Sequence, residues 1–262
     1  MQIISSKDNE LVKHIKKLKD KKYRDENNEF IIEGIKMISE ALQEDINIKH
    51  ILVCDDCDTN CQIPSELMYE IAKHNMVRVS QKVFKTITDV TNPQGILAVV
   101  EKNKSSEIDY KEDFFVILDD IQDPGNIGTI LRTIDSINLK QIIVSSKTAD
   151  AFNPKVVRST MGAIFRVNVI VMEDLTKIVR DLKKHKIKIY ATDLGTDKSI
   201  YDVSYKKTAI IIGNESKGVS EKLLEISDER IKIPMTGKTE SLNAGVATGI
   251  IVYEKLRQDL MK

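Results

Sequence analysis

The chain has 262 residues and carries forty basic and forty acidic side chains, so it has no overall field with which to attract a polyanion, and any nucleic acid must be met by a local patch. Hydrophobic residues at 41% and charged residues at 31% exclude a disordered or collagenous chain, and the length predicts one large or two modest domains, of which we take two. No apolar run reaches the roughly 18 residues of a spanning helix and no apolar stretch follows the first methionine, so the expectation is a cytoplasmic protein without a membrane partner.

Charge is uneven at the start of the chain. Residues 7–24 hold eight basic side chains (Lys7, Lys13, Lys16, Lys17, Lys19, Lys21, Lys22, Arg24) against three acidic ones (Asp8, Glu10, Asp20). Leu11, Ile15 and Leu18 fall at helical spacing, which predicts an amphipathic helix through this stretch with lysines over its remaining face. Such a face is either solvated or in contact with phosphates. Segments 30–42, 50–56, 64–75, 76–80, 81–90 and 94–101 then read as helices and short strands in alternation, a small α/β unit. Cys54, Cys57 and Cys61 form C-x2-C-x3-C with His50 nearby, a spacing that could hold zinc. However, Cys54 ends a predicted strand, acids flank the thiols and no second cysteine pair exists, so reduced loop thiols and no metal are expected.

Residues 102–113 are poor in apolar side chains and read as an exposed linker. We therefore divide the chain into 1–103, a linker over 104–113, and 114–262. From Phe114 onward, short β-branched runs at 114–121, 141–146, 167–172, 188–194, 208–215 and 230–235 alternate with segments of helical period. Near-continuous apolar strands separated by helices predict a parallel sheet covered on both faces.

In such a sheet, ligands bind beyond the carboxyl ends of the strands. After the first run, Pro124 and Gly125 break the strand, Asn126 can cap a helix, and Arg132 sits on its second turn, where its fork suits a phosphate. After the fifth run comes GNESKGV (213–219). The spacing G-x-x-x-x-G is that of a phosphate-binding loop, but Val219 stands where lysine is required, and G-x-G-x-x-G is missing from the first strand-to-helix turn. Triphosphatase and dehydrogenase readings lose their support. After the last run, Ser241 or Asn243 can cap a long helix with Val246, Ile250, Tyr253 and Leu256 along one side. Gly245 and Gly249 in its first half suggest a close approach by another backbone or a ligand.

These three loops resemble the signature motifs of the SpoU, or TrmH, family of RNA ribose 2′-O-methyltransferases of the SPOUT superfamily. Asn126, Gly128 and Arg132 match the first motif, GNE with Gly218 the second, and IPM-x-G-x3-SLN (Ile233 to Asn243) with Ala247 the third. The lysine-rich start and the F-x-I-E-G pattern at 30–42 resemble the family's N-terminal substrate-binding domain, an α/β RNA-binding module of the ribosomal-protein type. The resemblance covers essentially the whole chain.

The resemblance implies S-adenosylmethionine as cofactor, a trefoil knot in the C-terminal parallel-sheet domain, and a homodimer whose active site is shared between subunits. It places the cofactor among Thr192, Leu194, Gly213, Asn214, Gly218, Ile233, Met235 and Leu242. Catalytic and positioning roles fall to Asn126, Arg132, Glu215, Ser241 and Asn243. Arginine stays protonated to a pKa above about 12, so gripping a phosphate suits Arg132 better than acting as the base. Attached to an RNA-modifying domain, Lys13, Lys16, Lys17, Lys21 and Arg24 become candidate RNA contacts. The expected substrate is ribosomal RNA, most of all 23S, with a tRNA ribose methyltransferase or a catalytically inactive RNA-binding protein as the alternatives.

Overall fold

The protein is described here by a computed structural model covering residues 3–55, 63–102 and 107–261. In chain order the elements are α1 (Glu10–Lys17), α2 (Lys21–Asn27), β1 (Glu29–Glu33), α3 (Ile35–Gln43), β2 (Ile48–Cys54), α4 (Ser65–Ile71), β3 (Met76–Val79), α5 (Gln81–Ile87) and β4 (Ile96–Glu101). There follow β5 (Phe114–Leu118), α6 (Pro124–Ser136), β6 (Gln141–Ser145), α7 (Pro154–Thr160), α8 (Ala163–Arg166), β7 (Asn168–Met172) and α9 (Leu175–Lys184). The last elements are β8 (Lys188–Thr192), β9 (Thr208–Ile212), α10 (Glu221–Ile226), β10 (Glu229–Ile231) and α11 (Ala244–Leu260). By its contacts the chain forms two units, Met1–Asn103 with Phe152–Phe165, and Lys104–Ala151 with Arg166–Lys262.

The first unit has a four-stranded sheet in the order β1-β4-β2-β3, with β4 antiparallel to both neighbours and β2 parallel to β3. Val12, Ile15 and Leu18 join Val83, Phe84 and Ile87 of α5 on one core with Ile31, Leu52, Val79, Leu97 and Val99 of the strands. The lysine-rich stretch is two helices and not the single one its spacing predicts. Asn9 caps the first by accepting from Leu11 N–H, and Asp20 caps the second by accepting from Lys22 N–H. Arg24 closes the break: its Nη1 donates to the Leu18 and Lys19 carbonyls at 2.7 Å each, where the first helix leaves carbonyls unpaired. At 2% exposure Arg24 does not belong to an RNA-facing set, which corrects its place among the candidate RNA contacts. Cys57 and Cys61 lie outside the described residues; Cys54 is buried.

The segment Phe152–Phe165 lies within the stretch that sequence pattern gives to the second domain, yet it packs with the first unit. Phe152 meets Phe30 of β1 edge-on with ring centres 5.1 Å apart, and Lys102 Nζ stands 4.8 Å from the Phe152 ring centre. Glu40 of α3 fills the space beside Gly162.

The second unit is a six-stranded sheet in the order β10-β8-β9-β5-β6-β7, parallel throughout. Phe115, Ile117, Ile143, Ile189, Ala191 and Ile211 pack on one face under α9 and α10. The alternate residues Val116, Leu118, Ile142, Ile210 and Ile212 point the other way and are also buried, so both faces are covered. Residues 107–113, expected as tether, are docked instead. Gln141 exchanges hydrogen bonds with the Asp109 backbone at 3.0 and 2.7 Å, and Tyr110 stacks on His185 at 4.0 Å.

Helix α11 turns Ala244, Gly245, Thr248, Ile251 and Val252 inward. Gly245 fits against Thr129 of α6, so the small residues admit a neighbouring helix. Val246 and Tyr253, read from spacing as one apolar side with Ile250 and Leu256, are about half exposed, at 49% and 52%.

Candidate active site

Strand order reverses at β5 and β9, because the chain runs outward from β5 through β6 and β7 and returns to place β9 on the other side of β5. Loops leaving such a point diverge and open a crevice at the carboxyl ends of the strands. A cavity of about 420 Å³ lies there, walled by the loops after β8, β9 and β10. Thr192, Leu194, Gly213, Asn214, Gly218, Ile233, Met235 and Leu242 stand around this one cavity, together with Glu215 and Ser241.

The loop after β9 is built for closeness. Asn214 and Gly218 exchange backbone hydrogen bonds at 3.0 and 2.9 Å, and Gly218 adopts φ +71, a left-handed conformation that glycine takes without strain. A Cβ on Gly213 would lie 2.1 Å from the carbonyl carbon of Gly218, so no side chain fits there. Buried Asp119 holds both ends of the loop: its N–H donates to the Ile212 carbonyl at 2.9 Å and its Oδ2 accepts from Ser220 N–H at 2.7 Å. Asn214 Nδ2 donates to the Asp120 carbonyl at 2.7 Å, and its Oδ1 accepts from Ser216 and Lys217 N–H.

A second hydrogen-bond chain ties three loops together. Asn243 caps α11, accepting at Oδ1 from Gly245 and Val246 N–H, and its Nδ2 donates to Asn126 Oδ1 at 2.7 Å. Asn126 Nδ2 donates to Glu215 Oε1 at 2.8 Å, and Glu215 also accepts from the N–H groups of Gln122 and Asp123, each at 3.1 Å. Burial pushes the Glu215 carboxyl up, but these hydrogen bonds, led by that from Asn126, outweigh it and hold the group below its ordinary value. Asn126 does not cap α6 as its position suggested. Asp123 does so, accepting from Gly125 N–H, with Pro124 in the first turn, and Asn126 lies inside the helix.

Arg132 is exposed, its side chain has no hydrogen bond or ion pair among the described residues, and it is not on the cavity wall. It lies on α6 between Thr129, which touches Gly245, and Ser136, whose hydroxyl is 3.1 Å from that of Tyr253, and so it borders the exposed stripe of α11. Lys13, Lys17 and Lys21 are exposed and Lys16 is half-buried; Lys13 pairs with Glu10 at 2.9 Å. Sequence reasoning missed Asp119, Asp193, Lys217, Lys232 and Glu240. All five follow or interrupt the same apolar runs, and that position was the signal.

The cavity suits S-adenosylmethionine. Its volume falls in the small-molecule range, Ile233, Leu242 and Val219 offer apolar surface, and the bare Gly213–Gly218 crossing exposes backbone to a ligand.

Comparison with known proteins agrees with this geometry. A model of the SpoU rRNA Methylase family matches residues 113–253, and one of an MRM3-like substrate binding domain matches residues 9–98. The chain is 37% identical to the 23S rRNA (guanosine(2553)-2′-O)-methyltransferase RlmP of Bacillus subtilis, over 97% of this chain and 98% of that one. It is 28% identical to a 23S rRNA (uridine(2479)-2′-O)-methyltransferase of Streptomyces viridochromogenes, over 88% of this chain and 83% of the other. Among solved structures, an AdoMet-bound rRNA methyltransferase from Sinorhizobium meliloti superposes with a TM-score of 0.86 at 30% identity, over 98% of each chain. The chain belongs to the SpoU rRNA Methylase family.

Proposed function

We propose that this protein methylates a ribose 2′-hydroxyl of 23S ribosomal RNA. The observation that carries the reading is the cavity at the strand ends, walled by the second and third motif loops, which the Asn243–Asn126–Glu215 chain ties to the first. Similarity over 97% and 88% of the chain to two relatives named for 23S RNA supports the substrate. When bound, S-adenosylmethionine supplies an electrophilic methyl on sulfur.

The chain's residues do the rest. Gly213, Ile233, Met235 and Leu242, with Thr192, Leu194, Asn214 and Gly218, hold the cofactor. Asn126, Glu215 and Asn243 make their main hydrogen bonds to one another and to loop backbone, so their task is to fix the loops. Ser241, exposed on the cavity wall, is free to meet the acceptor ribose. Arg132 grips the phosphate beside that ribose, and the exposed lysines 13, 17 and 21, with half-buried Lys16, hold RNA farther away.

A homodimer completes the site. Arg132 stands off its own cavity and beside the exposed stripe of α11, and pairing two copies through that stripe brings each arginine to the partner's cofactor. The same reading includes a trefoil-knotted C-terminal segment and a cytoplasmic location.

The test is transfer of labelled methyl from S-adenosylmethionine to separated 23S, 16S and tRNA pools from cells lacking the protein, followed by nucleoside analysis. A 2′-O-methyl nucleoside in 23S RNA alone is expected. Arg132→Ala should lower turnover at least about a hundredfold with cofactor binding nearly intact. Label in tRNA moves the substrate, and no label in any pool returns the chain to a binding protein.

A further inference from the structure

The charged side chains on the cavity wall are unequal in what they already hold. Glu215 is surrounded by N–H donors. Asp193 accepts from Gly195 N–H at 2.9 Å and from Arg230 Nη1 at 3.2 Å. Lys232 pairs with Asp197 at 3.3 Å. Glu240 and Lys217 have no ion pair among the described residues.

Lys217 is the cation of the two, and its backbone is firmly placed. Its N–H donates to Asn214 Oδ1 at 3.1 Å, the neighbouring Gly218 is locked in the exchange with Asn214, and Asp119 holds the ends of the loop. The side chain nevertheless remains exposed. A rigid stem with a free ammonium at the mouth of a cavity is suited to an anion that arrives from outside. Lysine acts there as a mobile point charge and makes no demand for a fixed fork geometry.

We propose that Lys217 contacts a phosphate of the RNA strand next to the acceptor ribose, a contact separate from that of Arg132. The inference rests on the methyl-transfer reading above. Every RNA ribose is flanked by phosphodiesters, so a strand that offers its 2′-oxygen to this cavity carries negative charge across the mouth where Lys217 stands. The other anion the cavity would hold is the carboxylate of the cofactor's methionine part. The exposure of Lys217 favours the RNA.

The test compares wild type, Lys217→Gln and Lys217→Arg, with Lys111→Gln as a distant control. KM and kcat on 23S RNA, cofactor Kd by calorimetry, and RNA Kd across a salt series are measured. For Lys217→Gln the expected result is a rise of about fivefold in KM for RNA, with kcat at saturating RNA and cofactor Kd unchanged. The slope of log K against log salt should fall by about 0.7 to 0.9, one phosphate contact. Lys217→Arg should restore both. An unchanged RNA affinity and slope overturns the proposal, and so does a weakened cofactor Kd, which gives the lysine to the carboxylate. The binding series stands without turnover, so a wild-type protein that moves no methyl defeats the reading of the reaction and leaves the lysine to be judged on its salt slope.

Discussion

Glu215 shows how one residue sets the pH range of the site. Its folded pKa lies below the ordinary 4.5 because, despite burial, hydrogen bonds from Asn126 and from loop N–H groups favour the carboxylate. The stabilisation from a depressed carboxyl is complete above the unfolded pKa and is lost as pH falls through the folded one. Cofactor affinity should therefore stay flat from neutrality down through the usual carboxylate range and decline only below it, measured by calorimetry across a pH series. In Glu215→Gln the affinity should be weaker at neutrality, because the amide must turn its NH2 toward donors on one side, either the Gln122 N–H at the Oε2 position or the Asp123 N–H and Asn126 amide at the Oε1 position, and the acid decline should vanish. A wild-type decline centred above 4.5 would show that another group controls the site.

At the scale of elements, charge and burial separate residues that composition groups together. Lys16, Lys17 and Lys21 lie in the same stretch as Arg24, but only Arg24 is turned inward onto backbone carbonyls. Reversing the three lysines to glutamate should weaken RNA binding at least about tenfold and flatten its salt dependence, with the melting temperature nearly unchanged. Arg24→Ala should do the reverse. It leaves buried carbonyls unpaired, costs about 2 kcal/mol in denaturant unfolding, and leaves RNA affinity of the folded protein near wild type. The six strands of the second unit were legible because their β-branched residues run almost without interruption, as strands covered on both faces require. The three motif loops were legible because they follow those strands. The break at Asp20 was hidden, since Leu11, Ile15 and Leu18 keep helical spacing up to it and the cap depends on an arginine folding back six residues. Docking of Tyr110 on His185 was hidden for a related reason, because a polar segment shows nothing of a partner 75 positions away.

For the whole molecule, balanced charge leaves local surfaces to decide association. The outer side of α11 presents Val246, Tyr253 and Leu260 at 49%, 52% and 78% exposure, and such an apolar row fits a two-fold interface. The double variant Val246→Lys with Tyr253→Asp should sediment as a monomer, bind cofactor and lose methyl transfer. Wild-type protein that is active as a monomer would refute the shared site.

The segment Phe152–Phe165 bears on what could be exchanged between relatives. Residues 1–103 do not make up the first unit by themselves, because β1 keeps Phe30 under the Phe152 ring and Glu40 fills the place beside Gly162. A chimera that grafts residues 1–103 onto another methyltransferase would pair this β1 with a foreign α7. A working transplant must therefore be discontinuous, carrying both pieces of chain, and the inheritance of substrate choice within such proteins should follow the two pieces together.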